Sequence, residues 1–241
     1  MADVQPAESG QAGRVDGEKC INLFGFEIRA SERGAKKALV GASVSLLVLN
    51  GLGLPFMLPK LRPFLGAPYV PMKRLAVDAL FDKVLPAWAV HARSNGAAAS
   101  TTGAPLAGLR LVDLGAGDGR IVEAAASKGM RAVGYELNPY LVLWSRLRTH
   151  RALAAASGAG ELRWENIWAA DLSSADVVTV YGRPGDGLME RAAAKCLREL
   201  PPNACVVSHY FDLPGWERML VQDFQGLKLY DLSRRPTAAV E

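Results

Sequence analysis

Residues 111–120 read Leu-Val-Asp-Leu-Gly-Ala-Gly-Asp-Gly-Arg, an apolar strand-forming run that enters a glycine-dense turn and then opens a helical pattern. Gly115, Gly117 and Gly119 permit positive φ and let a ligand approach the backbone closely. The helix N-terminus that follows offers free N–H groups suited to a carboxylate or phosphate. Down-chain, a second strand-like run over 131–136 ends on Glu136. An acid there can accept both hydroxyls of a ribose, as in dinucleotide-binding folds.

The same alternation continues. Apolar runs at 109–114, 131–136, 161–166, 176–182 and 204–211 are separated by helical patterns at 120–128, 139–155 and 187–200. That is the signature of βαβ units and a parallel sheet. Runs at 218–223 and 228–233 flank Phe224-Gln225-Gly226-Leu227 and predict a terminal antiparallel pair. The expected fold class is α/β, with the Rossmann-like, seven-strand arrangement of class I methyltransferases.

Two kinds of nucleotide ligand compete for the turn. A G-x-G-x-x-G dinucleotide fingerprint needs a small residue where this chain has Arg120, and no G-x-x-x-x-G-K-[ST] is present, which excludes a P-loop. The actual spacing, Asp-x-Gly-x-Gly-x-Gly over 113–119, resembles motif I of S-adenosylmethionine-dependent methyltransferases. A tight turn without a ligand is the structural alternative.

Upstream, residues 38–59 carry no charged side chain. A helix over 38–54, stopped by Pro55, would be roughly 25 Å long at about 1.5 Å per residue, approaching the ~30 Å hydrocarbon thickness of a bilayer. Arg33, Lys36, Lys37, Lys60 and Arg62 would flank it at headgroup level. A buried or interfacial helix is the other reading. The chain accordingly divides into a polar, disordered N-terminal region (1–35), a single-span membrane anchor (36–59), a pre-domain helix with linker (60–104) and the α/β domain (105–241). In the third segment Met72, Leu75, Ala76, Ala79, Leu80 and Val84 form an apolar face opposite Lys73, Arg74, Asp78 and Asp82, with Pro86 expected to break or kink the helix. Residues 94–104 form a small-residue linker.

Composition closes off other classes. Three scattered cysteines (Cys20, Cys196, Cys205) and three isolated histidines argue against a disulfide scaffold and against a metal site. A net charge of +4 with no basic stripe argues against a nucleic-acid partner.

The segments DLGAGDGRIVEAAASKG and AVGYELNPYLVLWSR closely resemble the family of membrane-anchored mitochondrial lysine methyltransferases, whose members act on the c-subunit of ATP synthase and on the ADP/ATP translocase. Pro68-Tyr69-Val70-Pro71, Ile167-Trp168, Val206-Val207-Ser208 and Leu213-Pro214-Gly215-Trp216 extend the likeness over residues 68–233. The resemblance implies S-adenosylmethionine as cofactor, an integral membrane protein as substrate and the mitochondrial inner membrane as location. It gives Gly115, Gly117 and Gly119 the methionine part of the cofactor, Asp113 its amino group, Glu136 the ribose, and Asn166 with Trp168 the adenine. Relatives usually carry Asp-Leu-Trp where this chain has Asn166-Ile167-Trp168, so the charge is lost there. Asp118 is either a further cofactor contact or a cap for the next helix. Tyr69, Tyr181, Ser208 and His209 are candidates for lining the channel that receives the lysine. No catalytic base is assigned. Two other functions fit the same residues: methylation of a lipid-soluble small molecule, and a non-catalytic, cofactor-binding assembly role.

Overall fold

The structure, a computed structural model, describes residues 18–23, 26–31, 69–94, 104–182 and 187–236. The chain divides into two compact units, Met1–Met57 and Leu58–Glu241. In the first, β1 (Glu18–Leu23) pairs antiparallel with β2 (Phe26–Ser31), in a register that sets Ile21 opposite Ile28 and Leu23 opposite Phe26. The region expected to be disordered over 1–35 therefore contains a hairpin. Its strands carry the β-favouring residues Ile21, Phe26 and Ile28, which the polar neighbourhood obscured. The anchor expected over 36–59 lies outside the described residues. Among the described residues, no helix is long and apolar enough to cross a membrane.

The second unit is built on a sheet of seven strands. These are β3 (Arg110–Leu114), β4 (Arg131–Glu136), β5 (Ala159–Trp164), β6 (Val177–Val180), β7 (Cys205–His209), β8 (Leu220–Phe224) and β9 (Leu227–Asp231). They lie in the order β5-β4-β3-β6-β7-β9-β8, parallel except for β9, which runs antiparallel to both of its neighbours. The central strands β6 and β7 are buried on both faces, whereas edge strand β5 alternates with exposed Glu161 and Arg163. The order reverses between β3 and β6, which makes a topological switch point at their C-terminal ends.

Helices cover both faces. On one side, α3 (Arg120–Ser127) packs Ile121, Val122 and Ala125 onto the sheet, beside α4 (Pro139–Ala155). On the other, α5 (Leu188–Glu199) buries Met189, Ala192, Ala193 and Cys196.

The segment set apart as a pre-domain helix belongs to this core. It runs as α1 (Arg74–Ala79), one π-helical stretch (Leu80–Val84) and α2 (Leu85–Ser94). Leu80, Phe81, Val84, Leu85 and Trp88 join the same buried cluster as Leu111, Ile121 and Val122. Pro86 does not end the helix. In the π-stretch just before it, the N–H of Leu85 donates to the carbonyl of Leu80, so the chain meets the proline already out of α-helical register. Leu75, expected on the apolar face, is exposed.

Candidate active site

The turn after β3 forms because successive groups have nowhere else to bond. The N–H groups of Gly115 and Ala116 both donate to the carbonyl of Tyr135, each at 2.9 Å, stitching the turn to the end of β4. Gly115 has φ +94° and no atom within 4 Å of where a Cβ would stand, so its outer face is open. Gly117 (φ +54°) donates its N–H to Glu136 Oε2 at 2.9 Å, and the N–H of Asn138 donates to Glu136 Oε1 at 2.8 Å. Each carboxylate oxygen thus keeps a further lone pair for an incoming hydroxyl. Burial raises the pKa of Glu136, and the backbone donors oppose that rise. Asn138 in turn caps α4, its side-chain oxygen accepting from Tyr140 N at 3.0 Å, with Pro139 in the first turn.

Asp113 lies deeper and is buried. Its carboxylate accepts from the hydroxyl of Thr179 on β6, at 2.7 Å. Burial drives its pKa up to about 7, against the lowering effect of the Thr179 bond, with Glu136 and Asp118 adding repulsion. A buried carboxyl poised in this way is suited to a cationic group.

Asp118 does something else. It is buried between two arginines, with Oδ2 at 2.6 Å from Arg120 Nη2 and 3.6 Å from Arg148 Nε. Burial raises its pKa, but the hydrogen bond and charge of Arg120, aided by Arg148, win and hold it below the usual value. Its carboxylate is engaged by both guanidiniums. The cap role is minor, because the residue at the helix N-cap is Gly119 and Asp118 Oδ1 reaches Arg120 N only at 3.3 Å. Arg120 also donates to the carbonyl of Met72 and, at 3.4 Å, to the hydroxyl of Tyr69. It thereby ties the segment ahead of α1 to the glycine turn.

Asn166 and Trp168 follow β5, just past the point where the N–H of Glu165 donates to the carbonyl of Glu136 at 3.1 Å. The Asn166 side chain accepts from Trp168 N at 3.2 Å and caps the 3₁₀ turn Ile167–Ala169. Trp168 stacks under the Arg191 guanidinium of α5, 4.0 Å from the ring centroid. Both therefore have local structural roles, whether or not a base also reaches them.

Beyond the switch point is an aromatic cluster. Strand register sets Leu114, Val180 and Ser208 side by side, so Gly115, Tyr181 and His209 succeed them along one edge of the sheet. The Tyr181 and His209 rings meet edge to face at 4.7 Å, and His209 lies 4.0 Å from the Tyr210 ring. Phe211 stacks parallel to Tyr181 at 6.5 Å. His209 is buried with no hydrogen-bond partner on either ring nitrogen among the described residues, and burial lowers its pKa. Ser208, another of the channel candidates, is bonded to the chain itself. It is fully buried, and its hydroxyl donates to the carbonyl of Phe211 at 2.5 Å, closing the turn. Tyr69 lies over Gly117 of the glycine turn.

Thr179, Arg148, Tyr210 and Phe211 join the site without having stood out in the sequence, and Arg120 stood out there only as the residue that breaks the dinucleotide fingerprint. The alternation of β6 marks Thr179 as a strand residue, but its pairing with Asp113 comes from register across 66 residues. Among the described residues, no group of acids, histidines and cysteines could hold a metal ion.

Residues 113–219 match the family profile described as the ANTKMT methyltransferase domain. The chain is 33% identical over 213 residues to the ATP synthase c-subunit lysine N-methyltransferase of Mus musculus, covering 88% of this chain and 74% of that one. It is 42% identical over 113 residues to the adenine nucleotide translocase lysine N-methyltransferase of the same species, covering 46% and 48%. The Homo sapiens ATP synthase c-subunit lysine N-methyltransferase aligns over 44% of each chain at 42% identity. Among solved structures, an RNA methyltransferase from Salinibacter ruber in complex with S-adenosyl-L-homocysteine shares 31% identity at a TM-score of 0.51, covering 67% of this chain and 91% of that one. With the switch-point site and these relatives together, the chain belongs to the family of lysine N-methyltransferases named for the ATP synthase c-subunit and the adenine nucleotide translocase.

Proposed function

We propose that the protein is an S-adenosylmethionine-dependent lysine N-methyltransferase whose substrate is an integral membrane protein of mitochondria, either the ATP synthase c-subunit or the adenine nucleotide translocase. The observation that carries this reading is the pair of carboxylates at the switch point. Glu136 is held by two backbone N–H groups with lone pairs to spare, and Asp113 is buried beside an open glycine turn.

The residues present fit the cofactor. Glu136 would take the two ribose hydroxyls, the open face of Gly115 would lie along the methionine chain, and Asp113 would face its amino group. When bound, the cofactor supplies an electrophilic methyl on a sulfonium. This chain's part is to deliver a neutral amine in line with it. A lysine of ordinary pKa, about 10.4, must first lose a proton. The ring cluster of Tyr181, His209, Tyr210 and Phe211 forms an apolar, aromatic entrance that disfavours the ammonium form and excludes water. His209, neutral and unpartnered among the described residues, offers a ring nitrogen to accept a hydrogen bond from the arriving amine. Alignment across one strand spacing, about 4.8 Å from the β3 edge to the β6 edge, supplies much of the remaining rate.

The test is transfer of labelled methyl from S-adenosylmethionine to mitochondrial membrane proteins, comparing wild type with Glu136→Ala. The expected result is label on a lysine of one small membrane protein, about fivefold to a hundredfold weaker in the variant, whose loss of two buried hydrogen bonds costs about 1–3 kcal/mol. Label in the lipid fraction would replace this reading with methylation of a small molecule. Cofactor binding without transfer to anything would replace it with the non-catalytic role.

A further inference from the structure

Helix α4 leaves several of its large apolar side chains facing away from the protein. Its side towards the protein buries Val142, Ser145 and Thr149. The two hydroxyls there are satisfied by the helix itself, Ser145 donating to Val142 O and Thr149 to Ser145 O, each at 2.8 Å. Tyr140, Leu143, Trp144 and Leu147, spaced as one helical face, point the other way, and each keeps more than half of its surface exposed. Trp164 at the end of β5 adds to the same end of the helix. Its indole N–H donates to the carbonyl of Leu137, just ahead of α4, while 65% of the residue stays exposed.

Four large apolar side chains in one row are not the scattered exposure that any surface shows. The charges around the row indicate what covers it. Residues 139–155 include no Asp or Glu but carry Arg146, Arg148, Arg151 and His150. Arg148 is spent on Asp118 and Glu123. Arg146 and Arg151 are exposed, Arg151 in line with the apolar row and Arg146 to one side of it. Arg146 donates from Nε and Nη2 to the carbonyl of Leu162, a neutral partner that steadies the guanidinium, and its charge acts on Glu161 of β5 without a direct ion pair among the described residues. Tyr and Trp on the apolar face with arginines beside it is the composition of a helix lying in a bilayer interface, where rings sit at headgroup level and cations meet anionic phosphates.

We propose that α4 docks flat on an anionic membrane surface through Tyr140, Leu143, Trp144 and Leu147, with Arg146 and Arg151 engaging lipid phosphates. The row starts just beyond Glu136, so this contact turns the C-terminal end of β4 towards the bilayer. The docking surface stands whichever substrate is methylated, and its test does not use methyl transfer.

The experiment uses the full-length chain in a Cys20→Ser background, leaving only the buried Cys196 and Cys205. Spin labels are placed at Leu147→Cys or, on the opposite face of the sheet, at Glu190→Cys. The protein is mixed with vesicles of phosphatidylcholine containing one quarter phosphatidylglycerol. Docking raises the oxygen-to-nickel-chelate accessibility ratio several-fold at position 147 and leaves position 190 unchanged. Three results overturn the proposal. One is a label at 147 that stays water-accessible on vesicle-bound protein. Another is a label at 147 shielded from both probes before vesicles are added, which assigns the row to another segment or a second copy. The third is an equal rise on pure phosphatidylcholine, which removes the anionic component.

Discussion

A Cβ added to Gly117 would stand 2.9 Å from Cε2 of Tyr69, so the ring occupies the space that only a glycine leaves at this turn. The neighbour is the edge of a partly exposed ring, which can swing away, but the positive φ cannot be relieved. Gly117→Ala is expected to keep its fold, lose about 1–2 kcal/mol to the left-handed conformation, and bind S-adenosylmethionine more weakly. Thermal melts and calorimetric titration of Gly117→Ala, Tyr69→Ala and the double variant check this. The affinities of the single variants should be non-additive in the double, because the ring and the new methyl contest one space.

Asp113 and Thr179 make a pH-dependent prediction. The carboxyl's pKa in the folded protein is raised to about 7, above its unfolded value near 3.8. Between those values the folded state holds a proton that the unfolded state has released. Stability of the free protein from this group therefore falls as pH rises from about 4 to about 7 and then levels off. Asp113→Asn keeps an acceptor for Thr179 without the buried charge. It should melt higher than wild type at pH 8, by about 2–4 °C for each kcal/mol relieved, with no such difference at pH 4. The same variant should bind S-adenosylmethionine at least about tenfold more weakly, and wild-type affinity should fall as pH drops below 7.

His209 separates stability from turnover. Both of its nitrogens are buried without a partner among the described residues. His209→Phe conserves the ring in the cluster and removes two unsatisfied polar atoms, so the melting temperature should hold or rise. If the nitrogen receives the lysine amine, kcat for methylation should drop about tenfold or more while S-adenosylmethionine affinity stays unchanged. An unchanged kcat would reduce His209 to packing.

Leu80, fully buried in the π-helical stretch, tests whether the segment ahead of the sheet is part of the domain. Leu80→Ala should lower the stability of the whole sheet domain by about 2–5 kcal/mol in a single cooperative transition. A change confined to a separate, minor transition in denaturant would mean that the helix folds apart from the sheet.

Much of the site was legible from residue types because it is local. Gly115, Gly117 and Gly119 are demanded by one turn, and Glu136 closes the next strand, so both read directly from the chain. Asn166 and Trp168 illustrate the limit: their spacing after β5 was legible, but not the cap that one makes or the Arg191 stacked over the other.

The sequence by itself determined the alternation of strands and helices, the parallel sheet with its antiparallel last pair, and the glycine turn. These follow from hydrophobic period and backbone freedom within some ten residues. Only the tertiary structure decided that Arg148 reaches Asp118, that Thr179 holds Asp113, that the segment from Met72 to Trp88 completes the core, and that α4 turns its apolar row outward. Each depends on strand register and on which face of a helix meets the sheet, and pairings across 30 to 66 residues leave no mark in local periodicity.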